Sequence, residues 1–325
     1  RQRQMCIRDS SSIMSTECSN FYNGIFINPN GTVKPCCRYA EPTDLKWDSD
    51  PNAILNSDLY KDLRKKAKQG TKIAGCQKCY AEDKAGFMSL RRRFNKKFTR
   101  PKHSLEYLEL AFNNICNLTC IGCEPKYSNL WGKKLGYISS IQSHSFNLEQ
   151  NYKDLSYVSF FGGEPFATPN HQQFVNFLIE EDLAKNITLE YTTNCTKTPR
   201  QEWQESIKHF KDTIVICSID GVDEVNSEIR RGSKWSKVTR TFDFFKSSDV
   251  KLWVNTVVMN KNIFHLEELS KWIADNDVDK WTCNVLTWPS ELSITTLPNV
   301  DKQQLYPIIE NCNITDKKFI LEQLQ

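Results

Sequence analysis

From residue 105 onward the chain alternates between short apolar or β-branched runs and longer stretches of mixed polarity. The runs fall at 105–112, 156–161, 187–193, 213–219, 250–258 and 280–286 and predict strands. Amphipathic or polar stretches at about 126–142, 169–184, 200–210, 236–247 and 263–275 predict helices between them. Strands alternating with helices build a parallel sheet with helical crossovers, and six of them fit an incomplete barrel better than a closed eightfold one. The expected fold class is therefore α/β, a partial (β/α)6 TIM-like barrel over residues 101–290. Residues 291–325 carry Leu, Ile and Phe at loosely helical spacing around 305–324 and predict a packing helix.

The first hundred residues differ in kind. Residues 1–15 are basic, serine-rich and unpatterned, and are expected to be unstructured and foreign to the fold. Residues 16–100 read as a small cysteine-rich module. It contains a hairpin turn at Asn28-Pro-Asn-Gly31, a basic helix around 58–68 and polar helical sequence to about 97.

Composition adds little until the cysteines are reached. The hydrophobic fraction of 39%, the charged fraction of 25% and the net charge of +4 are ordinary for a globular protein. No run approaches the roughly 18 apolar residues of a transmembrane helix, and no apolar segment near the start predicts a secretory signal. A cytoplasmic, membrane-free protein is the expectation. The 13 cysteines are an odd count, and their spacing matters more than their number. Cys195, Cys217, Cys283 and Cys312 are isolated and read as small buried hydrophobes. Cys36-Cys37, Cys76-x2-Cys79 and Cys116-x3-Cys120-x2-Cys123 are clustered and read as metal ligands rather than bridges. Three thiolates on one loop, Cys116, Cys120 and Cys123, are one short of a closed zinc site. They suit a [4Fe–4S] cube with three irons held and the fourth open to a ligand.

That cysteine loop, directly after the apolar run 105–112, resembles the signature of the radical S-adenosylmethionine (SAM) superfamily. Phe160-Phe-Gly-Gly-Glu-Pro165 is similar to the superfamily's glycine-glycine-glutamate-proline element after the second strand. Paired glycines allow a close backbone approach to a ligand, and the resemblance implies that Gly162, Gly163 and Glu164 hold the amino group of SAM. It also implies contacts to the cofactor's ribose and carboxylate from Asn194, Ser218 and Asp220 at strand ends. Arg231, with Arg230 as its rival, would pair with the SAM carboxylate. Where many members carry an aromatic residue before the last cluster cysteine, this chain has Gly122. Cys18, Cys36, Cys76 and Cys79 resemble the ligands of a twitch module, the shortened relative of the SPASM module of peptide-modifying enzymes, with Cys37 as an alternative to Cys36. In the better-known relatives this module follows the barrel; here it precedes it. Spacing alone suits zinc at these four cysteines as well as a second iron–sulfur cluster.

The run Arg91-Arg-Arg-Phe-Asn-Lys-Lys-Phe-Thr-Arg-Pro-Lys102 reads as a solvated helix end leading into the barrel; Phe94 and Phe98 offer stacking for nucleic acid, the less favoured reading. The expected function is reductive cleavage of SAM to a 5′-deoxyadenosyl radical that takes a hydrogen atom from a peptide or small molecule. An electron donor such as flavodoxin or ferredoxin would supply the electron. The competing readings are a zinc-stabilised nucleic-acid-binding module on a degenerate barrel, and an iron–sulfur electron carrier.

Overall fold

A computed structural model describes residues 16–47, 50–99, 101–146, 148, 151–315 and 317–324. The segment 1–15, including Cys6, lies outside the described residues. The chain divides into two compact units. The first takes in residues up to Ile27, Gly31–Glu109 and Ser145–Ser156; the second takes in Asn28–Asn30, Leu110–His144 and the chain from Tyr157 onward.

The first unit begins with α1 (Asn20–Asn23), then β1 (Gly24–Ile27) and β2 (Val33–Lys34), which pair antiparallel with Phe26 opposite Lys34. Gly31, at φ 77°, takes the left-handed conformation the turn between them needs. Helix α2 (Pro51–Leu55) starts where Asp50 accepts from Asn52 N at 2.9 Å, with Pro51 in the first turn. Helix α3 (Asp58–Lys68) matches the basic stretch and buries Tyr60, Leu63 and Ala67, one face of a 3.6-residue period. The polar sequence to 97 folds as two helices, α4 (Gln77–Lys84) and α5 (Leu90–Lys97), the second capped by Ser89 Oγ accepting from Arg92 N at 3.1 Å. The basic run is only partly solvated. Arg91 is buried, ion-paired with Asp83 and donating to Glu17 O at 3.0 Å. Phe94 and Phe98 are buried edge-on against Tyr107, which removes them as base-stacking platforms. Strand β3 (Tyr107–Leu110) closes this part, and the division between the units runs through it.

In the second unit α6 (Asn129–Lys134) follows the cysteine loop, and β4 (Tyr157–Phe160), β5 (Thr188–Thr193), β6 (Asp212–Ser218), β7 (Lys251–Val258) and β8 (Lys280–Val285) lie side by side in chain order, all parallel. Leu110, the last residue of β3, accepts from Phe161 N at 3.1 Å and stands first in that series. Six predicted strands are thus six observed strands, each within two residues of its expected start. The crossovers carry α7 (Asn170–Glu180), α8 (Gln201–Ile207), α9 (Asp223–Ile229), α10 (Trp235–Lys246) and α11 (Leu266–Asp275). Between the sheet and the helices lies an aromatic layer. Phe166 stacks on Tyr191 at 4.9 Å and meets Trp203 and Phe245 at 5.6 Å, each such pair adding about 1 kcal/mol beyond area burial.

Three helix expectations change. The stretch 126–142 is helical only over α6, because Gly136 at φ 77° ends it and Tyr137 N turns back to Gly132 O. Helix α9 is a short element whose apolar residues, Val225 and Ile229, are too few for a periodic signal. The single helix expected at the carboxyl end is two, α12 (Asn299–Asn311) and α13 (Lys317–Gln323), interrupted after Cys312. Among the described residues no helix is long and apolar enough to cross a membrane.

Candidate functional site

Parallel register puts the ends of β4, β5 and β6 on one edge of the second unit, the edge where α/β folds gather ligands. Phe161-Gly162-Gly163-Glu164 leaves β4 there. Gly162 sits at φ 77° and Gly163 at φ 52°, both in the left-handed region. A Cβ on Gly162 would stand 2.4 Å from Ala111 Cβ, and one on Gly163 would stand 2.3 Å from Ile115 O. Both glycines are therefore needed for the β4 turn to lie flat against the backbone that leads into Cys116. Glu164 N donates to Ile115 O at 2.8 Å and fixes that contact.

Glu164 is buried and its carboxylate is a hub. It accepts from Thr193 Oγ1 at 2.7 Å, from Asn194 N at 2.7 Å and from Phe166 N at 3.2 Å. Burial outweighs these donors and pushes its pKa up to about 7. The folded protein thus holds this proton more tightly than the unfolded chain, whose carboxyl titrates near 4.3. Its contribution to stability is complete below about pH 4 and declines as pH rises through about 7. Glu164→Gln is expected to flatten the pH dependence of thermal unfolding between those limits. A wild-type curve already flat across that window would contradict the assignment.

The hub connects to the cysteine loop through Asn194. Its Nδ2 donates to Asn117 Oδ1 at 3.0 Å and reaches Cys116 Sγ at 3.8 Å, while its Oδ1 accepts from Thr196 N and Oγ1. Further anchors surround the loop. Asn129 Oδ1 accepts from Cys116 N at 2.9 Å, Trp131 Nε1 donates to Cys120 O at 2.9 Å, and Ser128 Oγ donates to Leu118 O at 2.7 Å. Thr119 N and Ile121 N donate to the carbonyls of Arg231 and Ile229, both at 2.9 Å. Asn114, fully buried, holds Pro125 O, Ser140 O and Gln142 N through its side chain. Short polar residues signal turns in sequence but not which backbone they will hold, so Asn114, Asn117, Asn129 and Thr196 were not predicted.

On β6, Ser218 is half-buried and its hydroxyl has no protein partner among the described residues. Asp220 is buried, accepts from Val257 N at 2.7 Å and pairs with Arg230 Nε at 2.9 Å. Arg230 is buried beside Cys120 and Cys123, whereas Arg231 is exposed. Arg231 lines an open cleft of about 380 Å³ with Ile121, Cys123, Trp131, Lys261 and Trp288. The space beside Gly122 is filled by Leu286, 3.2 Å from where a Cβ would be, and by Met259.

Desolvation pushes the Cys116 and Cys123 thiols up to about 11 and about 12, and raises Cys120 against the pull of Arg230. Thiols so placed become thiolates when a metal takes the proton's position. The loop therefore fits a cluster: three sulfurs on one rigid turn, N–H groups of Asn194 and Arg230 facing two of them, and two glycines that clear the approach.

The first unit groups a second set. Cys18 interacts with Cys36, Cys76 and Cys79; burial first, and then neighbouring thiols, push Cys36 and Cys76 up to about 12. Cys36 belongs to this set, while the exposed Cys37 lies against Glu109. Every described cysteine is free. Cys195, Cys217, Cys283 and Cys312 are buried as expected. The four thiols of Cys18, Cys36, Cys76 and Cys79 are candidate ligands for an iron–sulfur cluster or a zinc ion.

The model of the radical SAM superfamily matches residues 110–273, and that of SPASM, an iron–sulfur cluster-binding domain, matches residues 18–80. An uncharacterized protein of Methanocaldococcus jannaschii is 28% identical over 203 residues, 61% of this chain and 68% of its own. Among solved structures, anSMEcpe with bound AdoMet aligns at 19% identity and TM-score 0.48, over 62% of this chain and 58% of its own. Streptococcus suis SuiB bound to S-adenosylmethionine aligns at 16% identity and TM-score 0.43, over 83% of this chain and 52% of its own. The chain thus spans little more than half the length of these two solved structures.

Proposed function

This chain belongs to the radical SAM superfamily, and from that premise we propose that it reductively cleaves SAM and uses the resulting radical to take a hydrogen atom from a peptide or small-molecule substrate. The family brings a [4Fe–4S] cluster and SAM, and the SPASM module brings further iron–sulfur chemistry. In this reading Cys116, Cys120 and Cys123 hold the first cluster, and Cys18, Cys36, Cys76 and Cys79 hold a second. When bound, the first cluster with SAM at its open iron supplies methionine and a 5′-deoxyadenosyl radical on receipt of one electron.

The protein's part is to bind, orient and exclude water. Backbone at Gly162 and Gly163 receives the amino end of SAM. Glu164 acts through Thr193 and Asn194, holding the ends of β4 and β5 together around that position. The free hydroxyl of Ser218 offers a bond to the ribose. Asp220 positions Arg230, whose charge compensates the cysteine sulfurs it faces, and exposed Arg231 is left to meet a carboxylate at the cleft. Leu286 and Met259 take over the apolar covering that Gly122 cannot provide. The single observation that carries this reading is the contact of the Gly162-Gly163-Glu164 turn with the backbone entering Cys116. A zinc module or a simple electron carrier has no need for two left-handed glycines there.

The test is anaerobic reconstitution followed by dithionite and SAM. About eight irons per chain and 5′-deoxyadenosine in the products are expected. An intact, reducible cluster that leaves SAM uncleaved overturns the proposal. A finer expectation concerns Asn194. Hydrogen bonds to cluster sulfurs raise reduction potentials, so Asn194→Ala should lower the midpoint potential of the SAM-binding cluster in an EPR-monitored titration, and an unchanged potential would remove Asn194 from its environment.

A further inference from the structure

The crossovers from β4 to α7 and from β5 to α8 leave a cavity of about 340 Å³ between them, at the rim of the aromatic layer. Phe166, Pro199 and Trp203 form its apolar wall, and its lining shares no residue with the set proposed to hold SAM. Two side chains of that lining are more than nine-tenths buried and carry a nitrogen without a partner. Trp203, 1% exposed, has an indole Nε1 that makes no hydrogen bond. His171, 7% exposed, meets the Tyr191 hydroxyl through Nδ1 at 3.2 Å, and Nε2 on the other side of the ring has no partner among the described residues. Burial pushes the His171 pKa down to about 4, so the ring is neutral near pH 7. With the Tyr191 hydroxyl donating to Nδ1, Nε2 carries the ring proton and is a second donor. A buried donor without an acceptor is destabilising, and a cavity bordered by two of them suits a ligand that supplies acceptors.

The other polar groups of the cavity favour negative charge. Helix α7 starts there, with Pro169 at its cap position and no side chain accepting from its first N–H groups; His171 and Gln172 of its first turn line the space. Such a helix end attracts anions. Arg200, exposed at the rim, has no ion-pair partner among the described residues. The acid at the rim, Glu202, is already engaged: its Oε1 accepts from Asn176 Nδ2 at 3.1 Å, and Asn176 Oδ1 accepts from Gln172 Nε2 at 2.8 Å. We propose that this cavity binds a small molecule carrying one oxyanion group, a carboxylate or a phosphate, on an apolar body, with Arg200, His171 and Trp203 as its donors. An apolar wall with a few converging polar groups is the usual make-up of a small-molecule site, and the volume falls in the range of such sites. Phe166 joins the cavity to the Gly162-Gly163-Glu164 turn, since its ring forms part of the wall while its N–H donates to Glu164 Oε1 at 3.2 Å. An occupant therefore adjoins the carboxylate hub from outside the residues proposed to hold SAM. The inference is independent of SAM cleavage, and its test reads binding alone.

The experiment titrates benzoate, phenyl phosphate and the neutral benzyl alcohol into the anaerobically reconstituted protein, with and without saturating SAM, and follows binding by equilibrium dialysis. At least one of the two anions should bind at least about tenfold more tightly than benzyl alcohol, the difference a charge-assisted hydrogen bond makes. SAM should leave that binding unchanged. Arg200→Gln and His171→Phe should each weaken it about tenfold. Thermal unfolding checks that His171→Phe folds, and Arg200→Gln, which alters an exposed side chain, decides the matter if it does not. Tighter binding of benzoate assigns the carboxylate, and tighter binding of phenyl phosphate assigns the phosphate. Failure of both anions to bind the wild type, or binding of benzyl alcohol as tight as theirs, overturns the proposal. So does anion binding that SAM displaces or that Arg200→Gln leaves unchanged.

Discussion

Replacing Cys116, Cys120 and Cys123 together by Ala is expected to abolish 5′-deoxyadenosine formation and to remove about four irons per chain, while C76A/C79A loses a similar number yet keeps measurable cleavage. The asymmetry follows from what each set does. Under the proposed assignment, the three cysteines of the first set would leave one iron of a cube open to SAM, whereas the four of the second would leave none. The triple variant should still fold, because apart from weak sulfur contacts such as Asn194 Nδ2 to Cys116 Sγ at 3.8 Å the loop is held by Asn114, Asn129, Ser128 and the carbonyls of Arg231 and Ile229. Iron analysis and a single-turnover product assay, with thermal unfolding as the folding control, decide it. Equal loss of cleavage in C76A/C79A would mean that the two sites work as one.

Gly163→Ala is the second large effect expected, and it needs only one carbon. At φ 52° a non-glycine residue costs about 1–2 kcal/mol. The added Cβ would also lie 2.3 Å from Ile115 O and 2.8 Å from the carbonyl carbons of Asn114 and Ile115. All three are backbone atoms, so no side chain can swing away. Relief requires the β4 turn to lift from the segment entering Cys116, which breaks the Glu164 N to Ile115 O bond and unseats the carboxylate hub. SAM affinity, followed by equilibrium dialysis with the reconstituted protein, should fall by about 100-fold or more, equivalent to roughly 3 kcal/mol. The iron content should be retained, because the cysteines stay on their own loop. Gly136→Ala is the matched control: it also has a positive φ but meets nothing within 4 Å, so it should cost strain alone.

The strands were legible because each is a run of β-branched or aromatic residues bounded by turn formers, and β5 and β7 alternate buried and half-exposed positions as a sheet with one deeply packed face requires. The cysteine sets were legible because ligand spacing is a local property. What escaped was cooperation at a distance. Nothing near Glu164 in sequence says that its oxygens serve Thr193 and Asn194, some thirty residues later, and nothing near Arg230 says that Asp220 turns it toward Cys120. Helix boundaries failed for a related reason. The apolar residues at 135–141 suggested a longer α6, yet Leu135, Tyr137, Ile138 and Ile141 are exposed, so no burial repays winding them into a helix beyond Gly136. Cys36 and Cys37 were equivalent in sequence; in the fold both meet Glu109, but only Cys36 also interacts with Cys76 and Cys79.

The burial of the cysteine thiols has a practical side. Oxidants attack the thiolate, and desolvation holds Cys36, Cys76, Cys116 and Cys123 almost wholly protonated near neutral pH. Without a metal, these thiols present less thiolate to an oxidant than an exposed cysteine does.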